Sequence, residues 1–161
     1  QTFRMSSSLI TLAPRLVDSL YTEAMVLADE ARAYFAADGL GAQQVAVADA
    51  VAFSCESLKV TTRLMHSIAW LLNHRVAEDN WLSTVRPGEE PMLGYTPPPD
   101  QASLIRLPKE AQQLIHASVD LYARIARLQD GLYGTARGER AQDNDNRPDV
   151  HRMIDRIRAA F

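Results

Sequence analysis

The sequence predicts an all-α protein, an antiparallel three-helix bundle with a long proline-rich loop between the second and third helices. Three long segments carry apolar or small residues at alternating spacings of three and four, which is the period of a packed helix. No segment alternates apolar and polar residues between turn signals, as a strand would. We expect a single domain over residues 1–161, with the bundle core at about 13–132. A linker with a short C-terminal helix or mobile tail is expected at 133–161.

The first helix is predicted to follow a loosely held lead-in that ends near Thr11. Pro14 suits the first turn of a helix, where its missing N–H has no partner to lose. The segment 38–41 supplies glycine for the helix end, and it leaves only a short link to the next helix. Short links join antiparallel neighbours. The predicted core stripe of this helix is Ala13, Val17, Leu20, Ala24, Leu27, Ala31 and Tyr34.

The second helix is predicted from about residue 42 to 79, a stretch without proline or glycine. Its regular stripe consists of Ala48, Val51, Cys55, Leu58, Thr62, Met65, Ala69, Leu72 and Val76. A second set widens the apolar arc to about 200°, against the roughly 100° of a surface helix. That set is Phe53, Val60, Leu64, Ile68 and Leu71. The narrow polar strip that remains holds Glu56, Lys59, Arg63, His66, Trp70 and His74.

Six of the eight prolines lie between positions 87 and 108, so this segment of about twenty residues is predicted not to be helical. A loop of this length is typically functional or disordered. Alternatively, it is an extended cover over the helices, anchored by Met92, Leu93 and Tyr95.

The third helix is predicted to begin near Pro108 and to end at Gly131 and Gly134. Its stripe is Leu107, Ala111, Leu114, Ser118, Leu121, Ile125, Leu128 and Leu132. The polar segment 135–146 reads as a mobile linker. The short helix expected after Pro148 must dock on its own chain or on a partner, because so short a helix is unstable alone in water.

Composition narrows the function classes. The net charge of −3 argues against a nucleic-acid binder. No run of about 18 apolar residues is present, so we predict no membrane span. The single cysteine, Cys55, excludes an internal disulfide and suits a reducing compartment. With no signal peptide visible, we expect a cytoplasmic protein.

Motifs for catalysis are scarce. The glycines fall at predicted helix ends and in linkers, and none forms a phosphate-binding loop. His66 and His74 lie about 12 Å apart along one helix at 1.5 Å per residue, too far to share a metal ion. The bundle also lacks the Glu-x-x-His pattern of a carboxylate metal site. We therefore predict a non-enzymatic protein without metal or cofactor.

The polar strip of the second helix is the candidate partner-binding surface, because tryptophan and arginine are frequent interface hot spots. Its candidate residues are Glu56, Arg63, His66, Trp70 and His74. In the alternative interpretation, Trp70 is covered by the proline-rich segment or the C-terminal helix of its own chain. Lys59 is expected to form an ordinary surface ion pair.

The apolar surface is wider than three helices of one chain readily bury, so we predict a symmetric homodimer. The candidate dimer or packing face is Val60, Leu64, Ile68, Leu71, Ile115 and Tyr122. The proline-rich and C-terminal segments could bury this excess instead.

Two stretches resemble a known family. One runs from Glu56 to Met65 and continues through Trp70-Leu71-Leu72 to Arg75. The other runs from Leu107 to Glu110, with Leu114-Ile115, Ser118 and the segment 121–128. Together they are similar to the RcdA family (regulator of CtrA degradation), and the likeness extends from about Ala13 to Leu132.

The resemblance implies a cytoplasmic alphaproteobacterial protein, a three-helix bundle that dimerises. It also implies a non-enzymatic adaptor that works with the ClpXP protease, the response regulator CpdR and the cyclic-di-GMP effector PopA. Such an adaptor helps deliver cell-cycle transcription regulators such as CtrA for degradation, and the family offers no catalytic residues to carry over. The alternatives are a structural or regulatory interaction protein unconnected with proteolysis, and an enzyme or small-ligand binder.

Overall fold

The computed structural model describes residues 3–75 and 92–145, with side chains described for 14–75 and 92–134. All regular elements in these ranges are helical, which confirms the all-α prediction for this part of the chain. They are α1 (Phe3–Phe35), α2 (Leu40–Gln44), a 3₁₀ turn (Val47–Asp49), α3 (Ala50–Arg75), α4 (Gln101–Leu104) and α5 (Lys109–Asp145). None of the described helices combines the length and the apolar character needed to cross a membrane.

Helix α1 begins at Phe3, so the prediction of a lead-in reaching Thr11 is wrong. Pro14 lies inside the helix, where it removes one backbone hydrogen bond. Helix-favouring Leu9, Leu12 and Ala13 lie just before it and favour continuation. Side chains are described only from Pro14 onward. From there, the predicted stripe is confirmed as buried: Val17, Leu20, Ala24, Leu27, Ala31 and Tyr34.

Helices α1 and α3 run antiparallel. Tyr34 near the end of α1 packs its ring 6.2 Å from that of Phe53, near the start of α3. At the opposite ends, Arg75 of α3 pairs with Asp18 of α1 at 2.8 Å. Buried Gly41 lets the link pass closely, since a Cβ there would lie 2.6 Å from the Phe53 ring and 2.7 Å from the Tyr34 ring. The short link therefore produces the predicted antiparallel pair.

The predicted orientation of α3 is wrong. Its regular stripe faces outward, with Val51 76%, Leu58 67% and Met65 64% exposed. The buried face consists of Phe53, Glu56, Val60, Arg63, Leu64, Ser67, Trp70, Leu71 and His74. Val60 of the buried face is nine positions after Val51 of the regular stripe. At about 100° per residue this is two and a half turns, so the two faces lie on opposite sides of the helix. The helix also begins at Ala50 rather than near residue 42, and its predicted last residues lie outside the described part.

Residues 92–100, called here the strap, have no regular secondary structure and contact both α3 and α5. The Tyr122 hydroxyl of α5 donates to the Gly94 carbonyl at 2.6 Å. Met92 and Tyr95 are exposed, so the alternative of an extended cover is wrong about these two anchors, whereas its third anchor, Leu93, is half-buried. Polar contacts also hold the strap. The earlier part of the predicted loop, through residue 91, lies outside the described residues. The prediction that no helix forms in the proline-rich segment is wrong at α4, which follows the strap.

Helix α5 starts directly after Pro108, as predicted, and buries Ala111, Ile115, Ser118, Leu121 and Ile125. An ion pair between Arg124 and Glu23 joins it to α1.

The prediction that Gly131 and Gly134 end this helix is wrong, since it continues to Asp145. Glycine lowers helix propensity by about 1 kcal/mol but does not forbid a helix. Residues up to Leu128 form one compact unit, and those from Gln129 form a second. The short helix predicted after Pro148 lies outside the described residues.

Candidate functional site

A buried polar cluster lies under the strap, and Glu56 and Arg63 are its centre. The two residues are seven apart on α3 and therefore share one face of the helix. They are only 1% and 2% exposed, respectively. The Arg63 guanidinium donates to Ser118 Oγ of α5 at 2.8 Å and to the Pro97 carbonyl of the strap at 3.0 Å. One arginine thus fastens α3, α5 and the strap together.

Glu56 holds the end of the strap. Its Oε1 accepts the Asp100 backbone N–H at 3.0 Å and pairs with Lys59 Nζ at 2.8 Å. The Lys59 ion pair is therefore partly buried, not the surface pair expected from the sequence. Glu56 Oε2 is buried without a hydrogen-bond partner in the described part of the chain. Such a carboxylate depends on the positive charges around it, since an uncompensated buried charge is costly.

Burial lowers the pKa of the Arg63 guanidinium from its ordinary value, and the nearby Glu56 carboxylate acts in the opposite direction. Charge-assisted hydrogen bonds of this kind are about twice as strong as neutral ones. With Glu56 binding the strap's Asp100 N–H and Arg63 binding Pro97 and Ser118, the cluster's main contacts are internal to the chain. This arrangement is suited to holding the strap in place.

Trp70 and His74 stack on each other, with ring centroids 3.6 Å apart and planes 18° apart. Trp70 is 2% exposed and His74 is also buried, so these two members of the polar strip are not on the surface. His74 Nδ1 lies 2.7 Å from the Trp70 carbonyl, which can only accept, so Nδ1 carries the proton. Burial lowers the pKa of His74 from its ordinary value, and this hydrogen bond opposes the shift. The alternative in which its own chain covers Trp70 agrees with this burial.

His66 is half-buried beneath the strap. A Cβ on Gly94 would lie 2.6 Å from His66 Nδ1, so glycine permits the close approach of the strap at this point. His66 Nδ1 itself has no hydrogen-bond partner in the described part of the chain. Within those same residues, no group of three or more His, Cys, Asp or Glu side chains is arranged to hold a metal ion.

The candidate dimer or packing face is turned toward the chain's own interior. Val60, Leu64, Leu71 and Ile115 are buried. Ile68 and Tyr122 are half-buried, and the Tyr122 hydroxyl is bonded to the strap. In the described chain these six residues therefore pack within the chain itself.

The surface that the sequence interpretation missed is the outer stripe of α3, which consists of Val51, Cys55, Leu58, Met65 and Leu72. All five side chains are exposed. With half-buried Thr62 and exposed Ala69 between them, they follow spacings of 4, 3, 4, 3, 4 and 3. This heptad spacing is the seam of paired helices. The spacing is visible in the sequence, where it predicts a helix packed into a bundle.

Comparison with known proteins gives one family. A family model described as a protein of unknown function (DUF1465) matches residues 10–161. No curated protein and no solved structure matches the chain significantly.

Proposed function

We propose that this chain, which belongs to the DUF1465 family of proteins of unknown function, is a non-enzymatic adaptor acting in the cytoplasm. In this proposal its three long helices form an antiparallel bundle, with the proline-rich loop between α3 and α5. It helps deliver cell-cycle transcription regulators to the ClpXP protease through protein–protein contacts. The resemblance of Glu56–Met65 and of the segment 107–128 to the RcdA family supports this role. An adaptor of this type works by raising the effective concentration of a client near the protease.

The structural observation that carries the proposal is the outer stripe of α3. Contiguous exposed apolar surface on a folded protein marks an interaction site. From Val51 to Leu72 the stripe extends over 22 residues, an axial rise of about 32 Å at 1.5 Å per residue. The proposed occupant is a second copy of the chain, because the heptad spacing fits an identical helix and two-fold dimers are the commonest oligomers.

An antiparallel pairing of two α3 helices fits the order of side chains along the stripe. Centred near Thr62, it places Leu58 of one copy against Met65 of the other. The same register sets Val51 against Leu72, and it brings small Cys55 within one residue of direct opposition to small Ala69. Large side chains then lie on either side of the central Thr62 and at the ends of the seam, while the small ones lie together. Interdigitation of this kind gives interfaces their packing density.

The test of the dimer is the mass in solution by light scattering at micromolar concentration. We expect about twice the chain mass of 17.9 kDa for the natural chain. The double variant Leu58→Glu/Met65→Glu should give a monomer with unchanged helix content, because two like charges would be buried at the seam. Ile105→Glu is the matched control, since Ile105 is equally exposed but lies outside α3. A natural chain of monomer mass would refute the dimer.

The adaptor role is tested separately, by degradation of purified CtrA by ClpXP with and without this chain. We expect faster degradation with the natural chain and loss of the effect with Leu58→Glu/Met65→Glu if delivery requires the dimer. Client half-lives in a deletion strain provide the cellular measurement. Unchanged turnover in both assays would reject delivery and favour the alternative, a dimeric structural or regulatory protein unconnected with proteolysis.

We propose that partner proteins bind to exposed surfaces of the chain. The polar strip of the second helix is a weaker candidate for partner binding than these surfaces. Glu56, Arg63, Trp70 and His74 are buried, and His66 is half-buried beneath the strap. A partner could reach Glu56 and Arg63 only after the strap moved away. Moving it would break the hydrogen bonds of Arg63 to Pro97 and of Asp100 to Glu56.

A further inference from the structure

A cleft of about 470 Å³ opens between α1, α2 and α5. This volume lies within the range of about 300–1,000 Å³ that is typical of binding pockets. Every lining residue belongs to the first compact unit, and none comes from α3. The cleft is therefore a surface separate from the outer stripe.

The body of the cleft is apolar. Leu27 of α1 and Leu114 of α5 form its walls, and exposed Leu40 of α2 borders it. Ala33 and Ala117 also line it, and their short side chains leave the space open. Tyr34 is a fixed boundary, because its hydroxyl donates to Gln44 at 3.0 Å. A leucine-sized side chain would find apolar contacts on three sides.

The polar part of the lining is acidic. Glu30 and Glu110 are both exposed, and the described residues that line the cleft include no basic side chain. Among the described residues neither carboxylate has an ion-pair partner. Burial raises the pKa of Tyr34 above its ordinary value, and the negative charge of Glu110 raises it further. The Glu110 charge therefore acts on the cleft wall itself. Two unpaired carboxylates beside an apolar cavity favour a ligand that is both apolar and cationic.

We propose that this cleft binds a short helical peptide segment of a partner protein. In this complex a leucine-sized side chain enters between Leu27 and Leu114. A lysine or arginine about one turn away pairs with Glu30 and Glu110. Apolar anchors at helical spacing in a groove are a common mode of peptide recognition. This inference rests on the proposed adaptor function only for the identity of the partner, because binding can be measured without protease or client.

The probe is a fluorescein-labelled, alanine-based helical peptide of about 14 residues, with two leucines and two arginines on one face. Fluorescence anisotropy with the full chain should give saturable binding that weakens as salt rises, because charge pairing contributes. Glu30→Gln and Glu110→Gln should each weaken binding about threefold, as expected for exposed ion pairs. Asp130→Asn, at an exposed acid outside the cleft, is the matched control and should change nothing. A peptide with glutamates in place of the arginines should not bind.

Ala117→Trp tests the cavity itself. Ala117 is exposed, so a larger side chain there should leave the helix content and the unfolding midpoint unchanged while filling the cleft. We expect this variant to lose the arginine peptide, whereas Leu58→Glu/Met65→Glu should bind it like the natural chain. Equal binding of the arginine and glutamate peptides, or full binding by Ala117→Trp, would overturn the proposal. If the chain binds the arginine peptide but does not accelerate degradation of CtrA, the adaptor role is rejected and the proposed peptide binding in the cleft is retained.

Discussion

Replacing Arg63 with alanine tests whether the buried cluster holds the strap. The substitution removes two charge-assisted hydrogen bonds, to Ser118 Oγ at 2.8 Å and to the Pro97 carbonyl at 3.0 Å. Hydrogen bonds to charged groups contribute about 1.5–3 kcal/mol each. Glu56 would also lose one of its compensating positive charges. We therefore expect the free energy of unfolding to fall by about 3–5 kcal/mol, the range for breaking a buried charge pair.

The measurement is urea denaturation followed by circular dichroism, analysed by linear extrapolation. Arg106→Ala is the matched control, because Arg106 is exposed and lies 3.5 Å from Asp49. That pair should contribute less than about 1 kcal/mol. Limited proteolysis should also show faster cleavage within residues 92–100 for Arg63→Ala than for the control, since the released strap would expose its backbone.

The double variant Glu56→Gln/Arg63→Met separates electrostatics from packing. If the two charges depend on each other, the double variant should be more stable than the sum of the single effects by about 1–2 kcal/mol. Simple loss of packing would give additive effects. A loss below about 1 kcal/mol for Arg63→Ala, or strict additivity in the double variant, would show that the buried charges do not hold the strap.

Two further predictions concern α3. Burial lowers the pKa of His74 below its ordinary value of 6.5, so the unfolded chain binds the proton more readily. The free energy of unfolding should therefore be highest above about pH 6.5 and fall as the pH drops through and below it. His74→Gln should flatten this slope, whereas the control His116→Gln, at an exposed site, should not. The second prediction is that Ala69→Cys will form an intermolecular disulfide with Cys55 under mild oxidation, as the antiparallel register requires. In the natural chain, efficient Cys55–Cys55 crosslinking would instead indicate a parallel pair.

The sequence predicts the buried side of a helix when that helix has a single apolar face. On α1 the apolar residues form one stripe, and the positions from Val17 to Tyr34 are buried as predicted. On α3 both faces are apolar, so periodicity cannot decide which one turns inward. The structure buries the face that carries Glu56 and Arg63, whose partners are distant in sequence. Ser118 lies 55 residues from Arg63 and Pro97 lies 34 residues from it. A charged side chain without a partner nearby in the sequence is predicted to be exposed, because partners that are distant in sequence cannot be identified from one sequence.

The burial of the candidate partner-binding residues has the same cause. Trp70 and His74 share a polar strip with Arg63 and Glu56, and all four lie on the buried face. The strap contacts could not be derived from composition, because they use the backbone of Gly94, Pro97 and Asp100 more than their side chains. The glycines at 131 and 134 were equally ambiguous. The helix continues through both positions, and a Cβ at either would meet nothing within 4 Å, so neither glycine marks a helix end or is required by steric crowding.

The stretch from Glu56 to Met65, which carries the family resemblance, contributes to two different surfaces of α3. Glu56 and Arg63 point inward to the strap and α5, while Leu58 and Met65 point outward on the exposed stripe. A likeness over this stretch therefore combines residues that stabilise the fold with residues available for association. Variants distinguish the two contributions, because Arg63→Ala should lower the free energy of unfolding at any protein concentration. Leu58→Glu/Met65→Glu should lower the free energy of unfolding only because the dimer is lost. Its effect should therefore depend on protein concentration, because the dimer contributes to the stability of the natural chain only at concentrations where it forms.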